Sequence, residues 1–125
     1  MRMSDTRLMT NTGLHRLSRM VGRNVENPAG EHLGTLEDVV IELGESHVVA
    51  AILSVAGPAG MKELLVAVPL CVLGFEPAEE KLIFNVDRKT LREAPSFRRD
   101  EWPDLIDRAW AADLYSHYAC APYRH

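Results

Sequence analysis

The residues best suited to hold a metal ion lie near the C-terminal end of the sequence. His117, Cys120 and His125 are close in sequence, and imidazole and thiolate groups are ligands for zinc and other soft metals. A tight site needs three or four placed ligands, and this spacing matches no structural zinc signature. We therefore expect no metal and no other cofactor, and a metal- or thiol-based sensor is the weakest of our functional hypotheses.

Two adjacent acids, Glu37 and Asp38, stand in an apolar segment. Paired carboxylates can perform general acid–base catalysis when they converge on one substrate. Adjacent residues of a strand point to opposite faces, however, so these two carboxylates would diverge. We expect them to have a structural or docking role.

Nucleophilic and phosphate-binding motifs are absent from the sequence. Ser18, Ser46, Ser54 and Ser116 stand outside any G-x-S-x-G motif, the turn that exposes a catalytic serine. The segment Gly57–Gly60 is not followed by the Lys-Ser or Lys-Thr of a phosphate-binding loop. We therefore predict that the protein is not an enzyme.

A group of basic residues follows the apolar segments, with acidic residues close behind. The bases are Arg88, Lys89, Arg92, Arg98 and Arg99, and the acids are Asp100, Glu101 and Asp104. The group is either a self-compensating charged surface or a docking site for an acidic protein or RNA. The net charge of −4 argues against broad nucleic-acid binding, which depends on cations that neutralise phosphates.

Length and composition indicate a single cytoplasmic domain. The chain has 125 residues, of which 46% are hydrophobic and 26% charged, values typical of a globular domain. The longest apolar segments, Val48–Val55 and Leu64–Phe75, are too short to span a bilayer. Two cysteines, Cys71 and Cys120, form no disulfide framework, and in a cytosolic protein we expect reduced thiols.

Periodicity predicts short strands followed by helices. Two segments rich in β-branched residues, Leu33–Leu43 and His47–Val55, flank the turn Gly44–Ser46, which predicts a β-hairpin. Further strands are predicted over Leu64–Val68, Val72–Phe75 and Leu82–Val86. Asp87 should cap a helical turn over Arg88–Glu93, and a second helix should begin near Asp104 or Asp107.

The second strand of the hairpin is apolar on both faces. In the strand around Val49, alternation places Ala51, Leu53 and Val55 on one face and Val48, Ala50 and Ile52 on the other. A small barrel buries only its inside, so the outer face needs a cover. Either the C-terminal helix or another subunit supplies it. The helix has an apolar stripe suited to packing on the barrel, formed by Ile106, Trp110, Leu114 and Tyr118.

Several segments, in their order and spacing, resemble the PRC-barrel domain family. They are Leu17–Val25, Asn27–Asp38, Gly57–Gly60 with Leu64–Pro69, Ala94–Phe97, Trp102-Pro103, Trp110, Tyr115 and Tyr118. The resemblance implies a six-stranded barrel that docks to other macromolecules, without a shared catalytic motif. Members of the family are similar to the cytoplasmic domain of the photosynthetic reaction-centre H subunit and to the C-terminal domain of a ribosome maturation factor. The transmembrane helix of the first and the N-terminal domain of the second are not expected here.

These observations predict a mainly β fold, a small six-stranded PRC-type β-barrel with a short C-terminal helical extension. We expect a leader over residues 1–13, the barrel over 14–87 and the extension and tail over 88–125. The leading hypothesis is a non-enzymatic interaction or assembly module, a homodimer that docks to a protein complex. The alternative is an RNA- or ribosome-associated adaptor. The candidate partner-binding residues are Glu37, Asp38, Val48, Ala50, Ile52, Arg88, Arg92, Arg98 and Arg99.

Overall fold

The computed structural model describes residues 13–56, 63–104 and 108–118. Within them it has six strands: β1 (Asn24–Glu26), β2 (His32–Glu42), β3 (His47–Val55), β4 (Leu64–Val68), β5 (Leu73–Glu76) and β6 (Lys81–Phe84). The helices are α1 (Leu17–Met20), α2 (Arg88–Arg92) and α3 (Arg108–His117), and a 3-10 turn covers Leu70–Val72. None of the described helices is long and apolar enough to span a membrane. The first twelve residues, Gly57–Gly60, Ile106, Asp107, Cys120 and His125, about which the sequence made predictions, lie outside the described residues.

The strands form one curled sheet in the order β4-β3-β2-β1-β6-β5. The pairing of β1 with β6 is parallel, and the other neighbouring pairs are antiparallel. The prediction of a mainly β fold with six strands and a short C-terminal helix is confirmed. The sheet is a half-barrel, with β4 and β5 at its two edges.

The long hairpin of β2 and β3 is confirmed close to its predicted bounds. Its register runs from Thr35 opposite Ser54 to Glu42 opposite His47. The connecting turn closes where the Ser46 N–H donates to the Leu43 carbonyl at 3.2 Å. Ser46 has a φ of 51°, a left-handed conformation that few non-glycine residues adopt outside turns.

Two β-bulges interrupt the hairpin. Leu36 pairs with Leu53 and Asp38 with Ile52, so Glu37 is the extra residue on β2. Likewise Val40 pairs with Ala50 and Ile41 with Val48, which makes Val49 the extra residue on β3. A bulge disturbs the alternation of side chains between faces. Because of the bulge, Val49 belongs to the same apolar cluster as its neighbour Ala50.

One apolar cluster fills the concave side of the sheet. Its members come from all six strands and from α2; they include Val25, Leu36, Leu53, Val66, Leu73, Leu82, Phe84 and Leu91. Leu91 is the buried residue of α2. This helix is confirmed, since the Asp87 carboxylate accepts a hydrogen bond from the Thr90 N–H at 2.6 Å and so satisfies a backbone donor of its first turn.

A second apolar cluster lies on the outer face, where Ala50, Ile52 and Leu65 are buried. The C-terminal extension, residues from 88 onward, covers it. Phe97, Trp110 and Leu114 pack against it, and Ala111 is one of its buried members. The C-terminal extension therefore covers the outer face of β3, the strand that is apolar on both faces.

The apolar stripe of α3 divides between the two clusters. Trp110 and Leu114 pack on the outer one, whereas Tyr118 packs on the inner one. The sequence did not predict a role for Tyr115, whose hydroxyl donates to the carbonyl of the bulged Val49 at 3.0 Å. Helix α1 was likewise not predicted from the sequence.

Candidate interaction surface

A network that we call the Arg99 clamp ties the extension to the sheet. The Arg99 guanidinium forms ion pairs with Glu37 on β2 and with Glu63 immediately before β4. The Ser54 hydroxyl on β3 donates to the second oxygen of the Glu63 carboxylate. The sequence placed Glu37 and Arg99 in two separate candidate sites, and the structure joins them in one.

The hydrogen bonds of the clamp favour its charged forms. The bond from Ser54 and then the contact with Arg99 lower the pKa of Glu63 below its ordinary value. The two carboxylates raise the pKa of Arg99 in turn, with Glu37 the larger influence. The bulge at Glu37 positions its carboxylate for this contact, whereas Asp38 is exposed and accepts from the Val39 N–H at 2.7 Å.

Several bases of the predicted cluster are paired with acids. Arg88 lies 3.6 Å from a Glu31 carboxylate oxygen and donates to the His32 carbonyl at 3.0 Å. Arg98 lies 3.8 Å from Asp100. Arg92 is exposed and has no ion pair within the described ranges. The bases therefore lie mainly on a mixed-sign surface.

The three apolar candidates of β3 differ in accessibility. Ala50 and Ile52 are 0% exposed because the extension covers them. Val48, closer to the turn, is only partly buried. Of the three, Val48 is the one that the surface of this chain presents to a partner.

One exposed apolar surface lies at the turn end of the hairpin. Ile41 is 53% exposed and Leu43 82% exposed, and Ile41 is the cross-strand partner of Val48. Directly opposite residues share a face of the sheet. We call Ile41, Leu43 and Val48 the hairpin surface. Ile41 and Leu43 were not among the predicted partner-binding residues, although their apolar side chains next to the predicted turn were a signal.

The thiol and metal predictions have different outcomes. Cys71 is disulfide-bonded, which corrects the expectation of a reduced thiol there. Cys120, the other cysteine of the sequence, lies outside the described residues. Among the described residues no group of His, Cys, Asp or Glu could hold a metal ion, but Cys120 and His125 of the proposed cluster are not among them.

Comparison with known proteins identifies the domain type. A family model described as the PRC-barrel domain matches residues 13–91, more than half of the chain. The match extends from the residues before α1 through the six strands to Leu91 of α2. A search of curated proteins gives no match.

Proposed function

Because the chain belongs to the PRC-barrel domain family, we propose that it is a non-enzymatic interaction module that forms a homodimer and docks to a protein complex. The observation that carries the proposal is the exposure of Ile41 and Leu43 beside Val48. The extension covers the neighbouring apolar face of the same hairpin, so the uncovered part is what a partner would bury.

Physical reasons favour this surface as the contact. Each Å² of apolar surface removed from water contributes about 25 cal/mol. Single exposed apolar residues are common, but adjacent ones mark interfaces more often. A hairpin that meets its own copy about a two-fold axis uses the same surface twice, so one small patch provides two sets of contacts.

The self-association part of the proposal is tested with the double variant Ile41→Lys/Leu43→Lys. We expect the dissociation constant of its dimer to rise by roughly tenfold or more, because each copy would bury two lysine charges in the interface. Sedimentation equilibrium measures the dissociation constant. Leu17→Lys is the matched control, since Leu17 is 50% exposed outside the hairpin surface.

Two results would reject a dimer formed by the hairpin surface. One is an unsubstituted chain that stays monomeric at high micromolar concentration. The other is an equal effect of the Leu17 control. Docking to a complex is tested separately, with a photo-crosslinking residue at position 43 or, as the control, at position 17 in native extract. A defined set of crosslinked proteins specific to position 43 supports docking, and copies of the chain alone would leave the dimer as the working unit.

The alternative, an RNA- or ribosome-associated adaptor, depends on the bases of the extension. Its strongest residue is Arg92, since Arg88, Arg98 and Arg99 have acidic partners. Under the alternative, Arg92→Ala together with Lys89→Ala abolishes association with RNA or ribosomes, and crosslinking through the hairpin surface is unaffected. Co-sedimentation with ribosomes separates the two hypotheses.

A further inference from the structure

A cavity of about 240 Å³ lies between the extension and the edge of the sheet. Ala67 of β4, Phe97 in the loop after α2, and Trp110 and Leu114 of α3 form its apolar walls. The loop is held to β4 by two backbone hydrogen bonds of 2.9 Å between Leu65 and Phe97. Drug-sized ligands occupy pockets of roughly 300–1,000 Å³, so this cavity suits a smaller molecule.

Two carboxylates give the cavity a negative rim. Glu101 and Asp113 line it, and both side chains are exposed. His117 is the basic side chain among its described lining residues, which include no lysine or arginine, and neither acid has an ion pair within the described ranges. Trp110 adds an aromatic face, which attracts cations through its ring quadrupole.

Tyr118 supplies an unused polar group. It lines the cavity, and its hydroxyl is buried without a hydrogen-bond partner among the described residues. Burial raises the pKa of Tyr118, so the group is a neutral phenol. A buried polar group without a partner is costly, but this oxygen is shielded from solvent, so we assign the hydroxyl no contact with a ligand.

We infer that this cavity binds a small primary ammonium compound with an aromatic or apolar body. The body packs between Phe97 and Trp110, and the ammonium group lies towards Glu101 and Asp113. The apolar walls favour any small hydrophobic molecule, whereas the carboxylates favour a cation over a neutral or anionic analogue. Discrimination by charge is therefore the property that tests the inference.

The test uses 2-phenylethylammonium as the probe, with 2-phenylethanol as its neutral analogue and 3-phenylpropionate as its anionic one. Titration followed by backbone and indole N–H chemical shifts reports binding at Ala67 and Trp110. We expect saturable binding of the cation about tenfold tighter than that of the alcohol, the combined effect of two exposed ion pairs. The anion should bind more weakly still.

Substitutions test whether the two rim carboxylates, Glu101 and Asp113, cause the preference for the cation over the alcohol. Glu101→Gln/Asp113→Asn should remove the preference for the cation and leave binding of the alcohol unchanged. The matched control is Glu45→Gln/Glu93→Gln, which removes two negative charges from exposed positions that do not line the cavity; it should retain the preference.

Three results would overturn the inference. They are the absence of saturable binding, equal affinity for the cation and the alcohol, and a preference that survives loss of both rim carboxylates. A fourth would assign the cavity to a second copy of the chain: the Ala67 and Trp110 signals would shift with protein concentration alone, and the cation would cause no further shift.

Discussion

Arg99 connects parts of the chain that are far apart in sequence. Its ion pair with Glu37 spans 62 residues, and its second partner, Glu63, lies beside the edge strand β4. Exposed ion pairs contribute little individually. Here one guanidinium contacts two carboxylates, so the clamp restrains the loop that carries Phe97 over the outer apolar cluster.

The lowered pKa of Glu63 predicts a specific dependence of stability on pH. Its folded-state pKa lies below the ordinary value of 4.5, so the unfolded chain takes up a proton first as the pH falls. The stabilisation is therefore present above pH 4.5 and is lost as the pH falls through the folded pKa. We expect Glu63→Gln to reduce the pH dependence of the free energy of unfolding below 4.5, measured by urea denaturation.

The control for this prediction is Glu45→Gln, which alters an exposed carboxylate in the hairpin turn. It should keep the pH dependence of the unsubstituted chain. If both variants lost stability with acid as steeply as the parent, the clamp would not be the source of the effect.

Gly34 allows β2 and β3 to approach closely. A Cβ atom at this position would overlap the carbonyl oxygen of Ser54, a backbone atom. We expect Gly34→Ala to lower the free energy of unfolding by about 3 kcal/mol, because rigid backbone must shift to make room. Gly44→Ala is the control, since a Cβ there meets nothing within 4 Å; a similar loss in both variants would contradict the steric explanation.

The C-terminal extension acts as the second layer that the outer face of β3 requires. Its helix α3 contributes Leu114, which packs on the outer cluster. We expect Leu114→Ala to cost about 2 kcal/mol, the lower end for truncating a buried leucine. The same substitution at the exposed Leu43 should stay within about 0.5 kcal/mol. Chemical denaturation of the monomer measures both, and equal losses would show that the extension does not stabilise the sheet.

Local sequence signals made the β2–β3 hairpin and the start of α2 predictable. Gly44–Ser46 between β-branched segments identified the hairpin, and Asp87 identified the start of α2. The bulges at Glu37 and Val49 were not predictable in this way, because a bulge depends on how two strands pair. The ion pair of Arg99 with Glu37 was also not predictable. These residues are 62 positions apart, and the topology of the sheet, which no local sequence pattern specifies, brings them together.

The disulfide at Cys71 has a consequence for the cellular compartment in which the protein functions. Disulfides persist in oxidising compartments, whereas cytosolic thiols are kept reduced. We expect Cys71 of the chain from its native cells to react with a maleimide only after a reductant is added, and we expect reduction to lower stability by roughly 2–4 kcal/mol. Labelling of Cys71 without reductant would instead support a cytoplasmic chain with free thiols.

The parallel pairing of β1 with β6 has a consequence for biosynthesis. The Glu26–Lys81 ion pair beside it spans 55 residues, and ribosomes add about 5–20 residues per second, so β1 waits roughly 3–11 s for its partner strand. The hairpin of β2 and β3 is complete earlier, before α3 and its apolar cover have been made. A nascent chain at this stage has both apolar faces of β3 uncovered, and such transiently exposed apolar surface makes the chain prone to aggregation until the extension has been made.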